Sequence, residues 1–510
     1  LNGVPVFMKG ANYIPQDMFL TRVTKADYEG VIKQATDVNM NMLRVWGGGF
    51  YENDIFYNLC DEQGVLVWQD FMFACAMYPG DDAFFSNAKQ EFIENVKRLR
   101  NHPSIAIWCG NNENYIGWKD WKWSKRYNDA DSTKVWHDYL NLYEKLIPDV
   151  LNANAPGVIY WPSSPKHGWG YPVNTDGDVH YWGIWHAQEP FEELAKTTNI
   201  PRFMSEYGFQ SCTDFNSIKK FTKPEDWSTT SPVMKLHQKH RIGYPVIDKY
   251  MDWYFKKPKD FKSYLYVSQL LQSFGIGYGI EIHRRNMPFC MGTLYWQIND
   301  CYPVASWASV DYYDQWKALH YKVKQVYSDI LVSPFEENGI LKVYIINDKL
   351  ENIKSTLALK LLDFNGKKLW ESKKEITINQ NSSKPYFEIP MEELKKLGDT
   401  KSMVLKAQVL QKQSMLSENL YYFSLPKDLN LKNPQLSIQK TKVDDGYEFK
   451  FSTNYLAKNL YLNFEGIEGF FTENYFDLLP GEIKTIRFIT KSTDKIENTA
   501  LESITLIDSF

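Results

Sequence analysis

The chain has no run of about 18 consecutive apolar residues, so no stretch of it is long and oily enough to span a bilayer as a helix. It has no excess of either charge. Along 510 residues, 58 Lys and Arg face 62 Asp and Glu, which leaves a net −4 and no basic stripe for gripping a polyanion. Nucleic acid is therefore excluded as a partner. Cysteine is scarce and unpatterned: the six residues form no CxxC pair and no Cys/His grouping, so neither a zinc site nor a disulfide framework is implied, and they read as buried thiols. No metal or cofactor is required. After residue 320 histidine and cysteine vanish, and Trp370 is the only one of the 17 tryptophans that remains. Chemistry belongs to the first part of the chain. Neither an initiator Met nor a leader precedes Leu1-Asn2-Gly3, which suggests that the true N-terminus is missing.

What is plentiful is more specific. At 510 residues the chain exceeds one core and should divide into about two to four domains. Aromatics make up 16% of it, and flat apolar rings are what stacks on sugar faces, although packing claims about half of them or more. From residue 4 to about 330, short apolar runs alternate with amphipathic helical stretches. The runs are 4–11, 42–46, 65–71, 105–109, 158–161, 179–182, 202–205 and 291–296, each followed by polar or glycine-rich residues. Helices are expected over 25–38, 54–62, 83–100, 134–151, 190–196, 261–284 and 315–327. The stretch 162–178, rich in Gly and Pro, shows no helix.

Eight parallel strands wound with helices predict an α/β fold, a (β/α)8 TIM barrel over 1–330, with its active site where the strands end. Beyond it, alternating strands and turn signals such as Asn365-Gly366 take over, with a joint at 426–434. Two all-β, immunoglobulin-like sandwich domains are expected, at 331–426 and 427–510. They read as scaffold, so Ala at a surface position such as Asp348 should leave kcat within about twofold.

Two of the barrel strands end in a glutamate. Ile105-Ala106-Ile107-Trp108-Cys109 runs into Gly110-Asn111-Asn112-Glu113, and Arg202-Phe203-Met204-Ser205 runs into Glu206. Two carboxyls at one barrel mouth are the minimum for glycoside cleavage, one donating a proton to the leaving oxygen and the other attacking the anomeric carbon. The other strand ends carry Asn12, Arg44 with Trp46, Asp70, His180 with Trp182, and Trp296 with Asn299 and Asp300, a mixture suited to a sugar pocket.

Five motifs are specific enough to carry a resemblance. Trp108-Cys109-Gly110-Asn111-Asn112-Glu113, Ser205-Glu206-Tyr207-Gly208-Phe209-Gln210-Ser211, Arg44-Val45-Trp46-Gly47-Gly48-Gly49, Trp68-Gln69-Asp70-Phe71 and Leu294-Tyr295-Trp296-Gln297-Ile298-Asn299-Asp300 resemble signatures of glycoside hydrolase family 2 in the form β-mannosidases carry. The resemblance implies Glu113 as acid/base and Glu206 as nucleophile of a retaining double displacement. It implies Asn112 on the sugar 2-hydroxyl, Trp46 and Trp296 as walls of the terminal-mannose subsite, and Trp121 on the rim. Arg44, Asp70, His180 and Trp182 match positions that line the pocket. The implied substrate is a β-mannoside oligosaccharide or glycoconjugate with a terminal non-reducing β-D-mannose. Other glycosidases of this barrel type, an exo-β-glucosaminidase or a β-galactosidase, and a non-catalytic carbohydrate-binding protein are the alternatives. The family normally has two further β-domains ahead of the barrel; this sequence begins at the first barrel strand, so those N-terminal β-domains of the same protein are expected as missing partners, and the resemblance implies a secreted or periplasmic protein in bacteria and a lysosomal one in animals.

Overall fold

Side chains in a strand alternate between its two faces, and that alternation builds both the floor and the outer layer of this barrel. A computed structural model describes residues 1–168, 176–412, 414–490, 496 and 499–510. In β1 (Met8–Tyr13) Ala11 and Tyr13 join the layer under the helices while Asn12 faces inward. In β2 (Met42–Val45) Leu43 and Val45 lie outward, Met42 and Arg44 inward; in β3 (Leu66–Asp70) Val67 lies outward, Trp68 and Asp70 inward. Each inner row changes from apolar to ionic toward the C-terminal end of its strand. Met42, Trp68, Cys109 and Leu294 plug the lower barrel, and the charges stand above them.

The remaining strands are β4 (Ile105–Cys109), β5 (Tyr160–Trp161), β6 (His167–Gly168), β7 (Val179–His180), β8 (Met204–Glu206) and β9 (Gly292–Tyr295). The sheet runs β5-β4-β3-β2-β1-β9-β8-β7-β6, with its pairings parallel. All eight expected runs form strands. A ninth, β6, falls in the stretch read as irregular, of which 169–175 lie outside the described residues.

Five helices follow the periodicity closely: Lys25–Asp37, Asp54–Gln63, Asp82–Leu99, Phe261–Arg285 and Ala318–Val326. The one expected over 134–151 starts earlier, at Asp129, where the Asn128 side chain accepts from the Asp131 N–H, and it runs to Asn154 through a π-turn at Asn141–Leu146. Pro148 accounts for the widening: it has no N–H for the Glu144 carbonyl, and the ladder opens around the gap. The 190–196 segment forms a tighter 3-10 turn, and the helix Gly243–Tyr254 went unmarked in the sequence. Among the described residues no helix is long and apolar enough to cross a membrane.

Behind β2 a buried carboxyl, Glu52, accepts from the phenols of Tyr13 (3.0 Å) and Tyr28 (2.6 Å). Burial pushes its pKa up to about 7, against the two phenol hydrogen bonds that pull it down. With a folded value above the unfolded one of about 4.3, the native state holds a proton that the unfolded chain has lost. Stability is then full at acid pH and declines as pH rises from about 4.5 to 7, by about 3 kcal/mol in all. Glu52→Gln, which has no proton to lose, is expected to flatten that decline, measured as the urea midpoint at pH 5 and pH 8; a parallel pH dependence in both proteins would refute it.

Past the barrel, two further cores form. One gathers Val332, Leu341, Val343, Leu357, Leu405 and Val409 between a three-stranded sheet (Ile330–Glu337, Ile340–Asn347, Ser382–Pro390) and a four-stranded one (Lys368–Ile378, Ile353–Asp363, Met403–Gln411, Ser414–Tyr422). The other gathers Phe449, Phe451, Leu460, Phe464 and Phe488 between sheets built on Gly446–Ser452 and Ala457–Asn463. Asp348, expected at the surface, is not there: its side chain is 16% exposed and bonds Lys9 Nζ at 2.9 Å and Arg284 Nη2 at 2.7 Å, two cations buried at the lower end of the barrel.

Candidate active site

The run of amides ahead of Glu113 divides between clamps and site. Asn111 accepts from the Asn114 N–H and from Ser163, and donates to the Pro162 carbonyl; Asn114 donates to Tyr143. Held this way, the chain turns sharply at Glu113, whose φ of 66° is a left-handed conformation costing a side chain about 1–2 kcal/mol. The Glu113 N–H donates to the Ser164 carbonyl at 2.7 Å, and the Asn112 N–H to that of Phe73 at 2.9 Å. The turn aims the Glu113 carboxyl into the barrel mouth at the start of the short helix Asn114–Lys119.

Arg44 is fully buried, and all five of its N–H groups find acceptors. Nε and Nη2 donate to Asp70 at 3.4 and 2.9 Å, Nη2 also to Asn112 Oδ1 at 2.7 Å, and Nη1 to Asn12 Oδ1 at 3.0 Å and Glu206 Oε1 at 2.6 Å. Asp70 is held in turn by Trp68 Nε1 (2.9 Å) and the Gly47 N–H (3.0 Å). Because Arg44 takes the Asn112 oxygen, the Asn112 amide nitrogen is the donor end, and it points toward Cys75 Sγ at 3.4 Å.

Glu206 ends β8 with Arg44 on one oxygen and the Trp182 indole N–H, 3.3 Å away, on the other. His180, at the end of β7, brings Nδ1 to 2.9 Å from Glu113 Oε1 and 3.2 Å from Glu206 Oε2. One oxygen of each glutamate and a ring nitrogen thus lie within 4.8 Å of one another. Burial pushes the Glu206 carboxyl above the ordinary carboxylate range; the His180 ring and the Arg44 guanidinium pull it back, and the neighbouring Glu113 adds to the rise. Two carboxylates and an imidazole are also a donor set that could take a divalent cation, but the guanidinium 2.6 Å from Glu206 already supplies positive charge there.

Arg44, Asp70, Asn112, Glu113, His180, Trp182 and Glu206 are brought together in one hydrogen-bonded cluster. Trp46 and Trp296 meet edge to face at 5.1 Å at the ends of β2 and β9. Glycine is required on both sides of this wall: a Cβ at Gly48 would come within 2.0 Å of the Trp46 ring, and one at Gly208 within 2.5 Å of the Trp296 carbonyl. Trp121 stands apart, 38% exposed and packed against Trp123. Cys75 departs from the expected buried thiols. Five cysteines are buried, but Cys75 is exposed, with its sulfur 3.4 Å from Glu113 Oε2. Desolvation of the sulfur, then the Glu113 charge, push the thiol above its ordinary value, so it faces that carboxyl as a donor.

Three residues behind the pair escaped the sequence reading. Asp178 accepts from Ser164 Oγ and Ser205 Oγ, both at 2.6 Å, and from Trp161 Nε1 and the Lys166 N–H, both at 3.0 Å. The available signal was position: Asp178 precedes His180 by two on one strand face, and Ser205 directly precedes Glu206.

Comparison with known proteins bears on this geometry. A family model described as a mannosidase Ig/CBM-like domain matches residues 339–428, and an Ig-fold domain model of mannosidases matches 431–509. The β-mannosidase of Capra hircus is 33% identical over 533 residues, covering 98% of this chain and 59% of the relative; that of Rattus norvegicus is 31% identical, covering 99% and 60%. A crystal structure of a β-D-mannosidase from Dictyoglomus thermophilum superposes with a TM-score of 0.90 at 36% identity, over 99% of this chain and 61% of that one. An exo-chitosanase of Amycolatopsis orientalis shares the fold at 15% identity, with a TM-score of 0.75 over 99% of this chain and 64% of the other. The chain spans about three fifths of the length of the curated relatives it matches.

Proposed function

We propose that this chain, 31–36% identical to β-mannosidases over about three fifths of their length, belongs to the β-mannosidases of glycoside hydrolase family 2 and is an exo-acting, retaining β-mannosidase that removes terminal β-D-mannose from an oligosaccharide or glycoconjugate. The observation that carries the reading is that one carboxyl oxygen of Glu113 and one of Glu206 lie within 4.8 Å of each other, close enough to suit a retaining pair. Retaining enzymes hold their carboxyls about 5–5.5 Å apart so that one can bond to the anomeric carbon; inverting ones leave about 6.5–9.5 Å for a water.

The surroundings support the roles. Of the two glutamates Glu206 is the one hydrogen-bonded to the Arg44 guanidinium, which favours its carboxylate form against the burial that pushes its pKa up, and this supports Glu206 as the nucleophile. Glu113 faces a thiol and an imidazole instead, and it delivers the proton to the leaving oxygen. When the glycosyl ester forms on Glu206, its charge is consumed, and Glu113 then takes a proton from the incoming water. Asn112, its oxygen fixed by Arg44, offers N–H to the sugar 2-hydroxyl. Trp46 and Trp296 wall the subsite, and Trp121 lies farther out on the rim. The division of the chain at about 330 and 426 belongs to the same proposal, with the barrel as catalyst and the two sandwiches as scaffold.

Hydrolysis of an aryl β-mannoside followed by NMR tests this: β-mannose should appear first and mutarotate later, with no loss of rate in a chelator. Early α-mannose would convert Glu206 into a base acting on water. Faster turnover of aryl β-glucosaminides or β-galactosides in the same panel would replace mannose as the substrate.

A further inference from the structure

We propose that Asp178 is a positioning residue that acts through Ser164 to fix a proton on His180 Nε2, which leaves Nδ1 as the ring atom shared by the two glutamates. Ser164 has one hydroxyl proton and two neighbours for it, Asp178 Oδ2 at 2.6 Å and His180 Nε2 at 3.1 Å. The carboxylate can only accept, and it is nearer, so the proton goes to Asp178 and Ser164 turns a lone pair to the ring. The other polar neighbour of Nε2, Arg44 Nη1 at 3.4 Å, has given its two protons to the nearer oxygens of Glu206 and Asn12. Among the described residues nothing donates to Nε2, and Nε2 donates to Ser164.

Nδ1 then faces Glu113 at 2.9 Å and Glu206 at 3.2 Å, within hydrogen-bond reach of either carboxyl. Among the described residues the charged and titratable groups around the ring are Arg44 from β2, Glu113 after β4 and Glu206 on β8, with Asp178, just ahead of β7, behind Ser164; Cys75 and His186 face Glu113 from farther out. Asp178 also holds the backbones of both glutamates. Ser205, next to Glu206, donates to the same Oδ2, and the carbonyl of Ser164 receives the Glu113 N–H. One buried carboxylate, 3% exposed, therefore ties together the segments after β4 and β5 and the strands β7 and β8.

The catalytic consequence rests on the proposed function, but the tautomer does not. Protein labelled with 15N-histidine, with His180 identified by the signal lost in His180→Asn, should show a proton on Nε2 across the pH range of activity. In Asp178→Asn the amide oxygen keeps the two N–H donors, Trp161 and Lys166, and its NH2 turns to the serines. Ser164 is then free to donate to the ring, so the proton should move to Nδ1. With it kcat should fall about 10²-fold, at the low end of acid–base assistance, with KM within about threefold and the kcat–pH profile displaced. In a Ser164→Ala background the same substitution should cost nothing more, because the path is already cut. A bare Nε2 in the unmodified protein overturns the proposal even if Asp178→Asn does not fold, and so do additive losses from the two substitutions. A chain with Nε2 protonated but no turnover of any aryl glycoside would refute the functional reading and leave the positioning intact.

Discussion

Glu206→Ala is expected to lose more than about 10⁴-fold in kcat/KM on every aryl β-mannoside, good leaving group or poor, while Glu113→Ala loses that much only on poor ones. The difference follows from what each carboxyl faces. On the proposed roles Glu206, with the guanidinium of Arg44 at 2.6 Å, is the nucleophile, so its removal leaves none for any substrate. As the proposed acid Glu113 supplies a proton, and a nitrophenolate that departs without one does not need it. In Glu113→Ala, activated substrates should form the glycosyl-enzyme and stall there, because the water that follows lacks a base.

Azide needs no base and separates the two roles by the configuration of its product. It should restore turnover to Glu113→Ala and give β-mannosyl azide, after two inversions at one carbon. Any rescue of Glu206→Ala should come by one displacement and give the α-azide. The same anomer from both variants, or leaving-group dependence in Glu206→Ala alone, would reverse the assignment. Circular dichroism should report both variants folded, since Arg44 retains Asp70 at 2.9 Å when Glu206 is truncated.

The residues most legible in the sequence were those whose position is set by a strand. Apolar runs that stop at a polar residue mark a barrel strand and its mouth, and Arg44, Asp70, Glu113, His180 and Glu206 all follow that rule. Ser164, Asp178 and Ser205 carry no such pattern: hydroxyls and a lone carboxyl near a turn look alike whether they face water or a buried acid. Cys75 was misread because the direction of a thiol depends on the turn at Glu113, made by contacts between distant segments. In the sandwiches, Lys368–Ile378 went unmarked because five exposed charges interrupt its apolar pattern, and Ser382–Pro390 because Pro385 interrupts it. That proline is tolerated where the strand is an edge and its partner is irregular at Val343/Tyr344.

Asp348 illustrates the same point in energy, and its replacement is expected to cost stability without costing catalysis. The Asn347-Asp348 turn signal gave no hint that the turn docks under the barrel. There the Asp348 carboxylate meets Lys9 Nζ, whose side chain is 6% exposed, and Arg284, which is fully buried. Truncating one partner of a buried ion pair typically costs about 3–5 kcal/mol, because the other charge is left unpaired. The loss here should lie near the lower end, about 3 kcal/mol, since Lys9 keeps Asp329 at 3.2 Å and the Tyr327 carbonyl at 3.0 Å, and Arg284 keeps the carbonyls of Val326 and Ser328. Asp348→Asn, which preserves shape and loses charge, should fall between Asp348→Ala and the unmodified chain. Lys9 enters near the start of β1 and Asn12 near its end, so the ion cluster and the glutamates occupy opposite ends of the strands, and kcat of the folded Asp348→Ala protein should stay within about twofold. Urea unfolding followed by far-UV circular dichroism, alongside kcat, decides it: a shift under about 0.5 kcal/mol would make the cluster an ordinary surface pair, and a hundredfold fall in kcat with the fold intact would mean that the sandwich governs the active site through the barrel floor.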